Sequence, residues 1–308
     1  MNSKAKQINI LCEQVRTLTP DQKKEIIRLE EQIALLRSQM GEELSPWDQV
    51  QLARHENRPY TMDYISHIFK DFRELHGDRY FYDDRALIGG MARLNRQAVM
   101  VLGHQKGRNT KQRIYRNYGM PKPEGYRKAI RLIQMAEKFG RPVISFIDTP
   151  GAYPGLGAEK RGQAQAIAFN LLKMARIKIP IICIIIGEGG SGGALAIALG
   201  DRILMLEHSI YSVISPESCS AILWKDQEHS KEAASSLKLT SKHLLEFEVV
   251  DEIVPEPAGG AHCDHGESAA LLKPRIIDAL KELRQLDPET LVRRRHEKFR
   301  KMGHFIDG

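Results

Sequence analysis

Seven consecutive residues, Gly187-Glu188-Gly189-Gly190-Ser191-Gly192-Gly193, carry the densest chemistry in this chain, and three kinds of site can be built from them. Spaced as G-x-G-x-x-G, Gly187, Gly189 and Gly192 fit a dinucleotide fingerprint, and Glu207 stands near the expected ribose-binding acid. That would make an NAD-dependent dehydrogenase. Spaced as G-x-S-x-G, Gly189, Ser191 and Gly193 fit the nucleophile elbow of a serine hydrolase, with Glu217 and His243 downstream as acid and base. The third use needs only backbone. Glycines that open a helix leave amide hydrogens unpaired and unshielded, and two such donors aimed at one point stabilise an oxyanion. Glycines that merely let a helix approach a strand are the structural alternative. The seven residues alone leave all four open.

The elements around them set the context. Ile181 to Ile186 is a continuous apolar run, the signature of a fully buried strand, and a short helix is expected over 194–199 behind the glycines. Val143–Asp148 reads as a strand whose turn, Thr149 to Gly155, leads into a helix over 159–176. Residues 86–93 and 97–103 form a hairpin about Asn95-Arg96. A helix is expected from about Gly125 to Gly140, with further strands at 203–206, 211–214 and 249–254. Helices are expected at 217–224, at 241–247 and after Ser268. Strands alternating with helices give the α/β class. Upstream stands a helical preface. Thr19-Pro20-Asp21-Gln22 caps one helix and Ser45-Pro46 opens a second. A third begins after Thr61, with Ile65, Ile68, Phe69, Phe72 and Leu75 on one face until Gly77.

Charge is uneven. The 308 residues carry a net +7, yet between Lys106 and Arg131 nine Lys and Arg face one acid, Glu124, so this segment invites an anionic partner. The four cysteines (Cys12, Cys183, Cys219, Cys263) form no C-x-x-C pair, which disfavours a disulfide framework or a four-cysteine zinc site. His262-Cys263-Asp264-His265 lies in a Gly-rich loop and is not expected to bind metal. A hydrophobic content of 42% with 28% charged residues is that of a globular chain, and no apolar run approaches the roughly 20 residues of a membrane helix. The opening residues contain no apolar signal core, so neither secretion nor membrane insertion is expected.

Taken in order, a larger set of motifs resolves the tie. Gly103-His-Gln-Lys-Gly107, Asn117-Tyr-Gly-Met120 and Pro123-Glu-Gly-Tyr-Arg-Lys-Ala129 come first. Asp148-Thr-Pro-Gly-Ala-Tyr-Pro-Gly155 and Ala158-Glu-Lys-Arg-Gly-Gln163 follow, then the glycine cluster itself. Tyr211-Ser-Val-Ile-Ser-Pro-Glu217, Ile222-Leu-Trp224 and Ile253-Val-Pro-Glu-Pro257 close the series. From about Trp47 onward the chain resembles the alpha-subunit family of the bacterial and plastid acetyl-CoA carboxylase carboxyltransferase.

The resemblance implies a crotonase-like spiral of ββα units with an N-terminal helical extension. Residues 1–80 would be the partner-packing extension, and 81–308 the carboxyltransferase domain with its C-terminal helices. It implies a cytoplasmic enzyme that moves a carboxyl group from biotin, held on a separate biotin carboxyl carrier protein, to acetyl-CoA. The product, malonyl-CoA, feeds fatty acid synthesis. Further implied partners are a zinc-ribbon beta subunit, in an alpha2-beta2 heterotetramer, and biotin carboxylase. This chain has no Met-Lys-Met biotin attachment site and no Walker loop, which fits one component of a larger machine.

In that chemistry negative charge grows on the ureido oxygen, so paired amides are needed and a side-chain nucleophile is not. The amides of Gly192 and Gly193 take the catalytic role, and Ser191 is only a small residue in the turn. Gly189, Gly190, Tyr153, Glu159 and Arg161 are placed on the carboxybiotin side, and Lys106 and Arg108 at the CoA phosphates. Asp148 is expected to cap the turn that follows it. Gly193→Val is expected to keep the fold. One departure from the family pattern is Ser218 where glycine is usual, which would strain a turn needing positive φ.

Overall fold

The computed structural model describes residues 44–303, so the helix expected from Thr19 lies outside the described residues. Two short helices come first, α1 (Pro46–Ala53) and α2 (Thr61–Ile68). Ser45 caps α1 by accepting the Asp48 amide, with Pro46 at the first helical position, as its sequence anticipates.

The expected third helix is shorter than its apolar spacing suggests. It stops at Ile68, and Lys70–Glu74 is instead a strand, β1. Phe69 turns extended (φ −110°, ψ 161°), and Arg73 and Glu74 pair with Met91 and Gly90 of the neighbouring hairpin. Phe72 still packs on the core that holds Ile65, Ile68 and Phe69. With Phe72 as its one apolar side chain, Lys70–Glu74 fixes neither period, and the open hairpin edge decides the outcome.

The hairpin is as expected: β2 (Leu87–Leu94) and β3 (Gln97–His104) run antiparallel, and Leu94 pairs with Gln97 across the turn. The basic segment contains a helix that was not anticipated, α3 (Thr110–Tyr115), and then α4 (Pro123–Lys138). The strand β4 (Val143–Thr149) follows. The helix expected over 159–176 is two helices, α5 (Leu156–Lys160) and α6 (Gln163–Met174). Gly162 between them adopts a left-handed φ of 83°, which breaks the run.

Next comes β5 (Ile181–Gly190), longer than its apolar run, and α7 (Ser191–Leu195), which begins three residues before the expected 194. Then follow β6 (Arg202–Leu206), β7 (Ile210–Ser212), α8 (Pro216–Leu223), α9 (Ser230–Ser236), α10 (Ser241–Glu246) and β8 (Glu252–Val254). The chain continues with α11 (His265–Leu283) and α12 (Pro288–Lys301). Ser218 lies inside α8, its amide capped by Ser215 Oγ, and it is not a positive-φ residue, so no strain arises there.

The eight strands among the described residues form one sheet, ordered β1-β2-β3-β4-β5-β6-β8, with β7 pairing the far end of β5. The pairs from β3 to β8 are parallel. Because strand side chains alternate faces, Ile182, Ile184 and Ile186 join Tyr64 of α2 and Leu272 and Ile276 of α11 on one side. On the other, Ile181, Cys183 and Ile185 join Ala129, Leu132 and Ile133 of α4. Both faces of β5 are therefore dry, and its C-terminal end emerges among loops, where α/β sheets place their ligands.

Candidate active site at the end of the central strand

The glycine run divides between strand and helix. Glu188, Gly189 and Gly190 still belong to β5 and pair with Ile210, Tyr211 and Ser212, while Ser191, Gly192 and Gly193 form the first turn of α7. First-turn amides have no carbonyl of their own helix to donate to. Four of the five glycines have a packing reason, since a Cβ on Gly187 would stand 2.5 Å from Asp148 Oδ1 and one on Gly189 2.7 Å from the Tyr211 ring. A Cβ on Gly190 would stand 2.2 Å from Pro150 O, and one on Gly193 would stand 2.4 Å from Ala152 N. The loop after β4 therefore lies directly on the helix start, and Gly193 is buried against it. Gly192 differs: it is partly exposed, and a Cβ there would meet nothing closer than Ile167 at 3.8 Å.

Under the run lies a chain of charges. Lys106 Nζ is 2.6 Å from Asp148 Oδ1 and 3.9 Å from Glu188 Oε2, and the same Asp148 oxygen accepts the Glu188 amide at 3.0 Å. Arg54 of the loop after α1 donates to Glu188 Oε1 at 2.9 and 2.6 Å and to Glu217 Oε1 at 2.6 Å. Burial works against the Lys106 charge, but Asp148 and Glu188 outweigh it and raise its pKa. Nearby, burial pushes His104 down to about 3, so this imidazole is neutral, and its Nδ1 accepts the Asp148 amide at 3.3 Å. Asp148 thus does not cap the following turn. Thr149 does so, its Oγ1 accepting the Gly151 amide at 3.1 Å, because the Asp148 carboxylate is held by Lys106.

The other expected residues spread around this centre. Tyr153 donates its amide to Pro121 O at 3.0 Å and stacks under Lys122, with Nζ 5.1 Å from the ring centre. Arg161 pairs with Glu124 and lies over the Phe81 ring at 4.9 Å. Glu159 is exposed on α5. Arg108 pairs with Asp63 and covers the Tyr60 ring at 4.7 Å. Lys106 and Arg108 are both engaged inside the chain. Lys106 alone reaches the glycine run, through Glu188.

Neither side-chain pattern assembles. Ser191 is exposed with φ 53°, but His243 Nδ1 is 2.8 Å from Thr240 Oγ1 and Glu217 is bound to Arg54, so no triad forms. Gly187 and Gly189 lie within the strand rather than in a phosphate-cradling turn, and Glu207 accepts the Glu256 amide at 3.3 Å. His262 stacks on His55 at 3.9 Å. Among the described residues no group of three or more His, Cys, Asp and Glu is placed to hold a metal ion, and no helix is long and apolar enough to cross a membrane.

Sequence reasoning missed three participants. Glu188 had a signal, a carboxylate inside an otherwise apolar and glycine strand. Arg54 had none. The Ala152 amide, which has no acceptor among the described residues, is backbone and invisible to any side-chain pattern.

A family model described as acetyl co-enzyme A carboxylase carboxyltransferase-like matches residues 1–303. The chain is 59% identical over 285 residues to the acetyl-coenzyme A carboxylase carboxyl transferase subunit alpha of Geobacter metallireducens, covering 92% of this chain and 90% of that protein. It is 58% identical over 273 residues to the same subunit of Geobacter sulfurreducens, covering 89% and 86%. Among solved structures, transcarboxylase 12S with methylmalonyl-coenzyme A and methylmalonic acid bound aligns with a TM-score of 0.60 at 17% identity, over 76% of this chain and 44% of that one. The beta subunit of P. aeruginosa geranyl-CoA carboxylase aligns at 0.56 and 16% identity, over 78% and 45%. The fold is the crotonase-like α/β fold that these share.

Proposed function

Because this chain belongs to the acetyl-coenzyme A carboxylase carboxyltransferase alpha-subunit family, we propose that its share of the biotin-dependent carboxyl transfer is done by backbone amides at the start of α7. The observation that carries this is Gly192. A glycine within a helix costs roughly 0.5–1 kcal/mol relative to alanine. Among the described residues nothing needs the space at Gly192, and we read it as space for something from outside. A flat ureido ring fits such a surface: open above, with amide donors below.

Carboxybiotin, when bound, supplies the carboxyl group, and its ureido nitrogen is the base for the acetyl methyl proton. The protein's own part is electrostatic. The amide of Gly192, beside Gly193 in the same turn, faces the oxygen that gains negative charge, and the positive end of α7 adds to the field. The Ala152 amide lies against this turn and serves as a further donor. Gly189 and Gly190 hold the strand end that aims the turn. Tyr153, Glu159 and Arg161 follow from β4 along the approach to it. Lys106 stands between Asp148 and Glu188 and Arg108 is paired with Asp63, so for either to meet a CoA phosphate it must exchange those partners for the anion.

The remaining assignments come from the family. The biotin rides on a separate carrier protein charged by biotin carboxylase, a zinc-ribbon beta subunit brings acetyl-CoA, and the pair assembles as alpha2-beta2 in the cytoplasm. Residues 1–80 contribute to the partner contact, although Tyr64, Ile65 and Ile68 of that stretch pack into this chain's own core. The test is acetyl-CoA carboxylation with the chain alone and with a beta partner. Activity is expected only with the partner; an isolated chain that carboxylates acetyl-CoA overturns the division of labour.

A further inference from the structure

A cavity of about 1020 Å³ lies between α4 and α6 under the loop around Tyr80, and its walls are short of negative charge. Arg79, Arg127, Arg131 and Lys173 line it, and Asp78 is the one acid among the lining residues. Asp78 is already committed: its Oδ1 accepts the amides of Tyr80, Phe81 and Tyr82 at 2.9, 2.8 and 3.2 Å. Its other oxygen is 4.0 Å from Arg127 Nη1. Arg79, Arg131 and Lys173 have no carboxylate within ion-pair distance among the described residues.

The two guanidiniums even converge. Arg79 Nη1 and Arg131 Nη2 donate to the same carbonyl, His76 O, at 3.0 and 3.2 Å, and Arg131 Nε donates to Gly77 O at 3.1 Å. Burial, and next the charge of Arg79, lower the pKa of Arg131 by more than the charges of Asp78 and Asp83 raise it. Two rings complete the walls. Tyr80 is 86% exposed and Phe169 41% exposed, the latter with Lys173 Nζ 5.3 Å from its centre.

We propose that this groove binds a nucleotide, its phosphates held by Arg79, Arg131 and Lys173 and its base stacked against Phe169 or Tyr80. Guanidinium forks match phosphate oxygens, aromatic faces match a base, and the volume suits a nucleotide with two or more phosphates. The groove's chemistry does not depend on the carboxyl-transfer assignment, and only its reading as a coenzyme A seat rests on it. Two sources share the chemistry: a free nucleoside polyphosphate, or the phosphorylated nucleoside end of coenzyme A. The groove and the candidate active site touch the same turn of α6, for Phe169 faces the groove and Ile167 faces Gly192.

The experiment is titration of the full chain with fluorescent N-methylanthraniloyl-ADP, followed by displacement. Arg131→Gln and Lys173→Gln are each expected to weaken binding tenfold or more, with a steep loss of affinity in salt. The Lys173 side chain makes no hydrogen bond among the described residues, so its substitution should leave the fold intact, which a melting curve checks. Displacement by both coenzyme A and ADP assigns the site to the substrate's nucleotide end, and displacement by ADP but not coenzyme A assigns it to a free nucleotide. Binding that is absent, or unchanged in both variants, overturns the proposal. So does displacement by polyglutamate as effective as by ADP, which would make the groove a seat for an acidic protein segment.

Discussion

Lys106 Nζ sits 2.6 Å from Asp148 Oδ1, and the same carboxylate oxygen holds the backbone of Glu188 in the strand that carries the glycine run. Removing the cation leaves two acids facing each other, with side chains only 4% and 9% exposed. Lys106→Met is therefore expected to cost about 3–5 kcal/mol, as for other broken buried pairs. In a chain of this size that is a fall in Tm of about 10 °C, little changed by salt. A lysine whose role was to meet a substrate phosphate would behave otherwise, with Tm unmoved and KM rising steeply with ionic strength.

Ser191 stands at the first position of α7 with φ 53° and an exposed side chain. On the proposed backbone-donor reading, Ser191→Ala is expected to keep turnover within a few-fold. A nucleophilic serine would lose about 10⁴-fold or more. Ser191→Gly removes the penalty of a left-handed non-glycine residue, about 1 kcal/mol, and should raise Tm slightly. Turnover of purified complexes and melting curves decide both points, and a collapse of activity in the alanine variant would restore the hydrolase.

Glu256 gives the fold an acid limit. Burial would raise its pKa, but the charge of Arg58 and the His208 amide hold it down at about 2, against 4.5 for an ordinary glutamate. Its folded pKa lies below its unfolded one, so its contribution is complete above about pH 4.5 and is lost as pH falls toward 2. The amount is about 3 kcal/mol. Arg58 in turn donates Nε to Ile186 O at 2.7 Å, which ties this pair to the central strand. Urea unfolding between pH 7 and 3 should show the loss. In Glu256→Gln stability at neutral pH should fall by about 3–5 kcal/mol, because the buried Arg58 loses its counter-ion, and the acid slope should flatten.

The sheet was largely legible because burial on both faces writes an unmistakable pattern: Ile181 to Ile186 admits no polar residue, and the hairpin at Asn95 carries its own turn chemistry. Pairing partners were not. The period of residues 65–75 suits a helix, yet the edge of β2 takes Lys70–Glu74 as a strand, a choice made by a neighbour distant in sequence. The turn that opens α7 was legible for the same local reason, since glycines at a helix start are a backbone feature readable in one dimension. Its supports were hidden, since Arg54 and Glu188 meet across 134 residues. The β4 loop that presses on Gly193 is likewise remote, and this makes the expectation that Gly193→Val keeps the fold incorrect.

Gly192 and Gly193 are neighbours with opposite reasons to be glycine, and the pair separates catalysis from packing. At Gly193 a Cβ would stand 2.4 Å from both Ala152 N and Gly151 C. Those are backbone atoms that cannot rotate away, so Gly193→Ala should displace the loop, lower Tm by several degrees and impair assembly. At Gly192 a Cβ meets only Ile167, at 3.8 Å, an ordinary contact. Alanine is also the better helix former, so Gly192→Ala should melt at or slightly above the wild-type temperature. Under the proposed backbone-donor role its methyl group would nonetheless project where the ureido ring lies, and would hold the acceptor off the amides. Losing one such donor costs about 10²–10³ in kcat. The measurement is kcat per intact alpha–beta complex alongside a melting curve for each variant. A stable Gly192→Ala complex with normal turnover would remove the amide of this residue from the chemistry and leave the glycine run with only its packing role.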